Sequence, residues 1–177
     1  MSGVCAIVPV RSGGLGKSRL AGVLSPSRRA ALIESMLEQV LAALRAAPGI
    51  DTIVVVSPDL REAPAGATLL RDRGTDLNAA VACALESLGT RFDAALVVAA
   101  DAPRVTAAEI ARLVDACRGS DVGLVPDLRH EGTNGLWLRL PARITPDFGG
   151  ASFAHHLAAA RAAGATPRVL DLPGLAQ

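Results

Sequence analysis

The sequence predicts an α/β fold, a mainly parallel mixed sheet with helices on both faces, in three layers. Apolar runs rich in β-branched residues alternate along the chain with segments whose apolar residues recur at helical spacing. Some runs, such as Ile53-Val54-Val55-Val56, are unbroken, as a strand covered on both faces requires. At 177 residues, half of them hydrophobic, the chain can hide roughly 70% of the surface its unfolded form exposes, enough for one sizeable core. Residues 1–177 read as a single domain without an internal repeat or linker.

The elements follow in order. Val4–Val10 is a β-rich run that passes at once into the glycine-rich turn Ser12-Gly13-Gly14-Leu15-Gly16. Ser25-Pro26 supplies a capping residue and a first-turn proline, and Leu32, Ile33, Met36, Leu37, Val40, Leu41 and Leu44 keep helical spacing until Pro48-Gly49 stops the helix. Thr52–Ser57 is the next strand, followed by a short one near Thr68–Leu70, a helix from about Leu77 to Leu88, and the apolar strand Ala94–Ala100, which ends at Asp101. Thr106-Ala107-Ala108-Glu109 is a capping box opening a helix to about Arg118, and Val122–Val125 is again a strand. Then come the loop His130–Asn134, a strand near Leu136–Leu138, a turn at Gly149-Gly150, a helix from about Ser152 to Ala163, and a last strand near Arg168–Leu170. Strands alternating with helices of this length imply right-handed crossovers.

Eighteen basic and seventeen acidic residues leave a formal charge of +1, which argues against a nucleic-acid or membrane surface built on bulk charge. No stretch approaches the about 20 apolar residues that span a bilayer, and a cytoplasmic location is expected. Cys5, Cys83 and Cys117 are far apart and form no CxxC pair, so they read as small apolar residues in a reducing compartment. His130, His155 and His156 lack metal spacing and a serine or cysteine partner, and read as surface residues without a catalytic part.

In open α/β sheets the ligand lies outside the carboxyl ends of the strands. Three segments there are unusual. The first, Arg11 to Leu20, follows the opening strand. Its glycines let backbone N–H groups approach a phosphate chain, and Lys17 and Arg19 supply local cations. It is not a P-loop, which would need glycine where Arg11 stands, nor a dinucleotide fingerprint, which would need glycine at Arg19. A purely structural turn is the alternative. The second is Asp101-Ala102-Pro103, an acid closing a wholly apolar strand, suited to a metal or a ribose; capping the next segment is its bland role, although Thr106 already caps the helix. The third joins Gly132-Thr133-Asn134 to Phe148-Gly149-Gly150-Ala151-Ser152-Phe153. Thr133 and Ser152 offer hydroxyls, and a helix start at Ser152 suits a small phosphate or carboxylate, unless Ser152 is merely an N-cap. Phe148 and Phe153 read as packing under the loop.

These segments, in this order, resemble the guanylyltransferases that activate 2-phospho-L-lactate or phosphoenolpyruvate in biosynthesis of the deazaflavin coenzyme F420. The likeness is carried by Val8-Pro9-Val10 with Lys17-Ser18-Arg19-Leu20, Val55-Val56-Ser57-Pro58-Asp59, Leu77-Asn78-Ala79-Ala80, Ala100-Asp101-Ala102-Pro103, Pro126-Asp127 with Gly132-Thr133-Asn134, and Phe148 to His155. It implies a nucleotidyltransferase fold of the nucleotide-diphospho-sugar transferase kind, shared with molybdopterin nucleotidyltransferases. By the same resemblance, GTP would be held by Gly13, Gly14, Gly16, Lys17 and Arg19 together with Gly74, Leu77 and Asn78. Asp101 would be a Mg2+ ligand, and Thr133, Gly149 and Ser152 would contact the phosphorylated acceptor. Lys17, Arg19 and Asp101 would be the catalytic set, transferring GMP and releasing pyrophosphate. An acceptor phosphate is already ionised at neutral pH, so such a reaction needs alignment and charge neutralisation rather than a general base.

Similar proteins continue into an acidic Asp-x-Asp-Thr-Pro stretch that supplies a second metal carboxylate, whereas this sequence ends at Gln177; Asp127 and Asp171 are the candidates to replace it. Lysine is usual in the family where Arg11 stands, a change that keeps charge but alters geometry. The rival readings are a nucleotidyltransferase for another acceptor, such as a cytidylyltransferase, and a nucleotide-binding module without catalysis. A homodimer is compatible with all of them.

Overall fold

The computed structural model describes residues 3–10, 22, 24–72 and 76–176. Strands β1 (Val4–Pro9), β2 (Thr52–Val56), β3 (Thr68–Leu70), β4 (Ala94–Val98), β5 (Val122–Pro126), β6 (Thr133–Arg139) and β7 (Arg168–Val169) form a seven-stranded sheet in the order β3-β2-β1-β4-β6-β5-β7. Helices α1 (Pro26–Ala46), α2 (Leu77–Leu88), α3 (Ala107–Cys117) and α4 (Ser152–Ala162) flank it. All strand pairs are parallel except those of β6, which is antiparallel to β4 and β5. The reason is chain length: six residues, 127–132, separate β5 from β6, whereas a parallel return needs a crossover of a dozen or more.

Alternate residues of β1 enter opposite cores. Ala6 and Val8 meet Leu37, Val40, Leu41 and Leu44 of α1 and Ile110, Leu113 and Val114 of α3. Cys5 and Ile7 face Val81, Ala84 and Leu88 of α2 and Phe153 and Ala160 of α4. Two apolar layers thus sandwich the sheet, as the unbroken apolar strands required. Cys5 and Cys117 are buried, and burial pushes their thiols up to about 12 and about 11, so both stay protonated and serve as packing atoms.

The helix starts follow their capping chemistry. The Ser25 hydroxyl accepts from the Arg28 N–H ahead of Pro26, and Asp76 accepts from the Ala79 N–H. In the Thr106 capping box, Glu109 Oε2 accepts from the Thr106 N–H at 3.0 Å. The same carboxylate reaches further: Glu109 Oε1 accepts the Gly174 N–H at 2.7 Å. That bond, with one from Asn134 Nδ2 to the Leu175 carbonyl at 2.7 Å, fastens the segment after β7, whose Leu170, Leu172 and Leu175 are buried against the α1/α3 core. No described helix is long and apolar enough to cross a membrane.

Candidate functional site

The chain runs from β1 outward to β2 and β3, then returns to place β4 on the other side of β1. Such a reversal opens a crevice at the carboxyl ends of the two strands. A cavity of about 240 Å³ occupies that position. Pro9, the last residue of β1, and Val10 after it line the cavity, and Val97, Ala99, Ala100 and Asp101 line it at the end of β4. Because β6 is antiparallel, its first residue, Thr133, arrives at this same end; the Ala99 N–H donates to the Asn134 carbonyl at 2.9 Å and holds the edges in register. Leu77, at the start of α2, Phe148, before α4, and Ile33 and Met36 of α1 close the wall.

Asp101, Thr133 and Leu77 therefore line one cavity. Asp101 is an exposed carboxylate on a described wall that is apolar apart from it and Thr133. Gly13, Gly14, Gly16, Lys17, Arg19 and Gly74 lie outside the described residues; the chain enters the first of these stretches from Val10, on the cavity wall. Asn78 grips the β6–α4 loop with both ends of its amide: Nδ2 donates to the Phe148 carbonyl at 3.0 Å, and Oδ1 accepts the Phe148 N–H at 2.6 Å. It thereby holds the Phe148 backbone in place. Phe148 is a wall of the cavity as well as loop packing, whereas Phe153 is buried in the core as expected.

Gly149 and Ser152 belong to the turn behind Phe148 rather than to the described cavity wall. Gly149 has φ +151 with open space around its α-carbon. Ala151 stands in the left-handed region at φ 61, a conformation that costs a residue with a Cβ on the order of 1 kcal/mol. The alternative of Ser152 as an N-cap fails: Ala151 occupies that position, α4 has no side-chain cap, and Ser152 is the first helical residue, 2% exposed, its N–H donating to the Gly149 carbonyl at 3.3 Å.

The reading of His156 as a surface residue is also corrected. Its side chain is fully buried, because both ring nitrogens find partners inside: Nδ1 lies 3.0 Å from Thr133 Oγ1, and Nε2 accepts the Asp147 N–H at 2.9 Å. The Phe148 ring packs edge-on against it at 5.1 Å between centroids. His130 and His155 are exposed, as expected, His155 bonding to Asp147 at 2.8 Å.

Burial holds the His156 imidazole below its ordinary value of 6.5; the Asp147 carboxylate opposes this shift and His155 adds to it. The unfolded chain therefore binds the proton more readily. Stability from this group is complete above about pH 6.5 and is lost as pH falls below it. Thermal melts from about pH 7.5 to about pH 5 should show Tm falling with acid, and the slope should flatten in His156→Asn. The Asp127 carboxyl does not contaminate that window. Burial works against its charge, but backbone N–H groups of Glu131, Gly132 and Arg129 hold it below its ordinary value of 3.8, so its contribution is lost only in stronger acid.

Asp127 and Asp171, the candidates for a second metal carboxylate, are not on the described cavity wall. Asp127 Oδ1 closes its own loop by accepting from Arg129 and Glu131, and Asp171 lies 3.9 Å from the His130 ring. Among the described residues no three His, Cys, Asp or Glu are grouped to hold a metal. Asp101 alone still fits a hard cation of the magnesium type, which takes oxygen ligands and commonly uses one or two carboxylates with phosphate oxygens and water.

Residues 4–172 match a family described as guanylyl transferase CofC like. The chain is 42% identical over 176 residues to a phosphoenolpyruvate guanylyltransferase of Sphaerobacter thermophilus, covering 97% of this chain and 85% of that protein. It is 36% identical to a 2-phospho-L-lactate guanylyltransferase of Methanothermobacter thermautotrophicus, covering 94% and 75%. A crystal structure from Desulfovibrio desulfuricans, described as a nucleotide-diphospho-sugar transferase, superposes with a TM-score of 0.79 at 16% identity, over 97% of this chain and 80% of that one, and shares the fold.

Proposed function

The chain belongs to the CofC-like guanylyltransferase family, and from that premise we propose that it transfers GMP from GTP to the phosphate of phosphoenolpyruvate or 2-phospho-L-lactate in coenzyme F420 biosynthesis. The observation that carries this reading is the cavity at the β1/β4 crevice, which unites a carboxylate, Asp101, with a hydroxyl, Thr133, beside the start of α2 at Leu77.

A phosphate oxygen of the acceptor attacks the α-phosphorus of GTP. The new P–O bond forms as the bond to the β-phosphate oxygen breaks, and pyrophosphate leaves with that electron pair. The nucleophile is already an anion, so the protein aligns two anions and offsets their repulsion rather than removing a proton. Lys17 and Arg19, with the amides of Gly13, Gly14 and Gly16, would hold the triphosphate. Gly74, Leu77 and Asn78 would set the nucleoside side, Asn78 through its hold on Phe148. Thr133, Gly149 and Ser152 would receive the acceptor. Asp101 would hold a divalent cation, Mg2+ in our reading, which when bound supplies charge neutralisation at the phosphates.

Mass spectrometry of products from GTP, Mg2+ and an equimolar mixture of phosphoenolpyruvate, 2-phospho-L-lactate and 3-phosphoglycerate tests the proposal. A guanylylated phosphoenolpyruvate or phospholactate, with stoichiometric pyrophosphate, is expected. Product from CTP but not GTP, or nucleotide binding without acceptor-dependent pyrophosphate, would overturn it.

A further inference from the structure

We propose that His156 is a positioning residue that fixes the Thr133 hydroxyl as a hydrogen-bond donor into the cavity, toward an anionic oxygen of the acceptor. The inference rests on the assignment of Thr133 to the acceptor and deepens it.

The hydrogen-bond directions can be deduced in sequence. A backbone N–H is always a donor, so the Asp147 N–H bound to Nε2 at 2.9 Å makes that nitrogen the acceptor. A neutral imidazole carries one proton, which is therefore on Nδ1. Nδ1–H faces Thr133 Oγ1 at 3.0 Å and can only donate to it. One lone pair of the hydroxyl is thus occupied, and its own hydrogen must point elsewhere. Thr133 lines the cavity, and in the proposed arrangement that hydrogen is directed into the space a ligand would enter. An untethered hydroxyl rotates between donor and acceptor orientations; this one presents a donor before the anion arrives. Preorganisation of that kind favours phosphate or carboxylate oxygens over groups that bring their own hydrogens.

The neutral ring is maintained by its surroundings. His156 is fully buried, with the Phe148 ring edge-on at 5.1 Å. The titratable groups beside it are the Asp147 carboxylate and the neighbouring His155, which lie 2.8 Å apart on the exposed side. A proton added at Nε2 would confront the Asp147 N–H donor with a second donor. The relay therefore depends on the uncharged tautomer.

Two substitutions separate the two bonds of the ring. The Asn amide reaches the position of Nδ1, so His156→Asn retains a donor to Thr133 and gives up the bond from Asp147. The Gln amide reaches the position of Nε2, so His156→Gln retains an acceptor for Asp147 and gives up the donor to Thr133. Steady-state kinetics of the full chain with GTP and phosphoenolpyruvate should show the acceptor KM rising roughly tenfold in H156Q, with the KM for GTP little changed. H156N should recover most of that loss. Equal acceptor KM values in H156N and H156Q would overturn the proposal.

Thr133→Val serves as the reference. If T133V leaves the acceptor KM unchanged, the assignment of Thr133 to the acceptor fails; if T133V raises it and H156Q does not, only the role of His156 fails. Should the variants not fold, nitrogen-15 NMR of the wild-type imidazole decides the matter. The Nδ1–H form is expected at about pH 8, and observation of the Nε2–H form would overturn the relay.

Discussion

Asp101→Asn is expected to lower kcat by about 10³-fold, equivalent to about 4 kcal/mol of lost transition-state stabilisation, without a comparable loss of Tm. The two halves of this expectation have separate origins. Asp101 is exposed at the end of β4 while Ala102 beside it is buried, so an isosteric loss of charge leaves the packing at that corner in place. The described wall of the cavity carries no other carboxylate, so no neighbour there can assume its part toward a cation. Turnover measured across a Mg2+ titration, beside a thermal melt, separates the two. Wild-type turnover in the variant would remove Asp101 from the chemistry, and a large drop in Tm would reassign it to the fold.

Gly123→Ala is expected to cost about 2–3 kcal/mol and to lower Tm by roughly 5–10 °C. Gly123 is the second residue of β5, paired with Trp137 on one side and Arg168 on the other. A Cβ there would overlap Cys117 Sγ and come within 3.1 Å of Trp137 Cβ. Neither can retreat easily, since Cys117 is fully buried and Trp137 Nε1 is tied to the Ser120 carbonyl at 3.1 Å. Truncating the thiol tests the cause. Cys117→Ala in the Gly123→Ala background should recover at least half of the loss, a coupling that independent effects would not produce. Additive losses in the double variant would show that the clash is not the source.

Much of this architecture is legible in the chain before folding. Unbroken β-branched runs, Ser25-Pro26 and the Thr106 capping box mark strands and helix starts because they act through neighbours in sequence. Asp101 stands out for a similar local reason, as an acid ending the apolar stretch Ala94–Ala100. His156 is illegible by the same means. Its burial depends on Thr133, 23 positions earlier, and on the Asp147 N–H, 9 positions earlier, and neither bond leaves a periodic trace in an alanine-rich helix. Phe148 behaves likewise: its place on the cavity wall depends on Asn78, 70 positions before it. Leu77 joined the candidate set through family resemblance and Thr133 as a hydroxyl in the segment 132–134, and only the antiparallel course of β6 explains why Thr133 shares an edge of the sheet with Asp101.

One carboxylate links two parts of the chain that could otherwise come apart separately. Glu109 spends one oxygen on the first turn of α3 and the other on Gly174. Peeling of the final residues would withdraw a partner from the group that clasps Thr106, five positions beyond Asp101 in the chain. Local fraying at the far end thus has a covalently short, mechanically direct route to the segment that carries the candidate cation ligand.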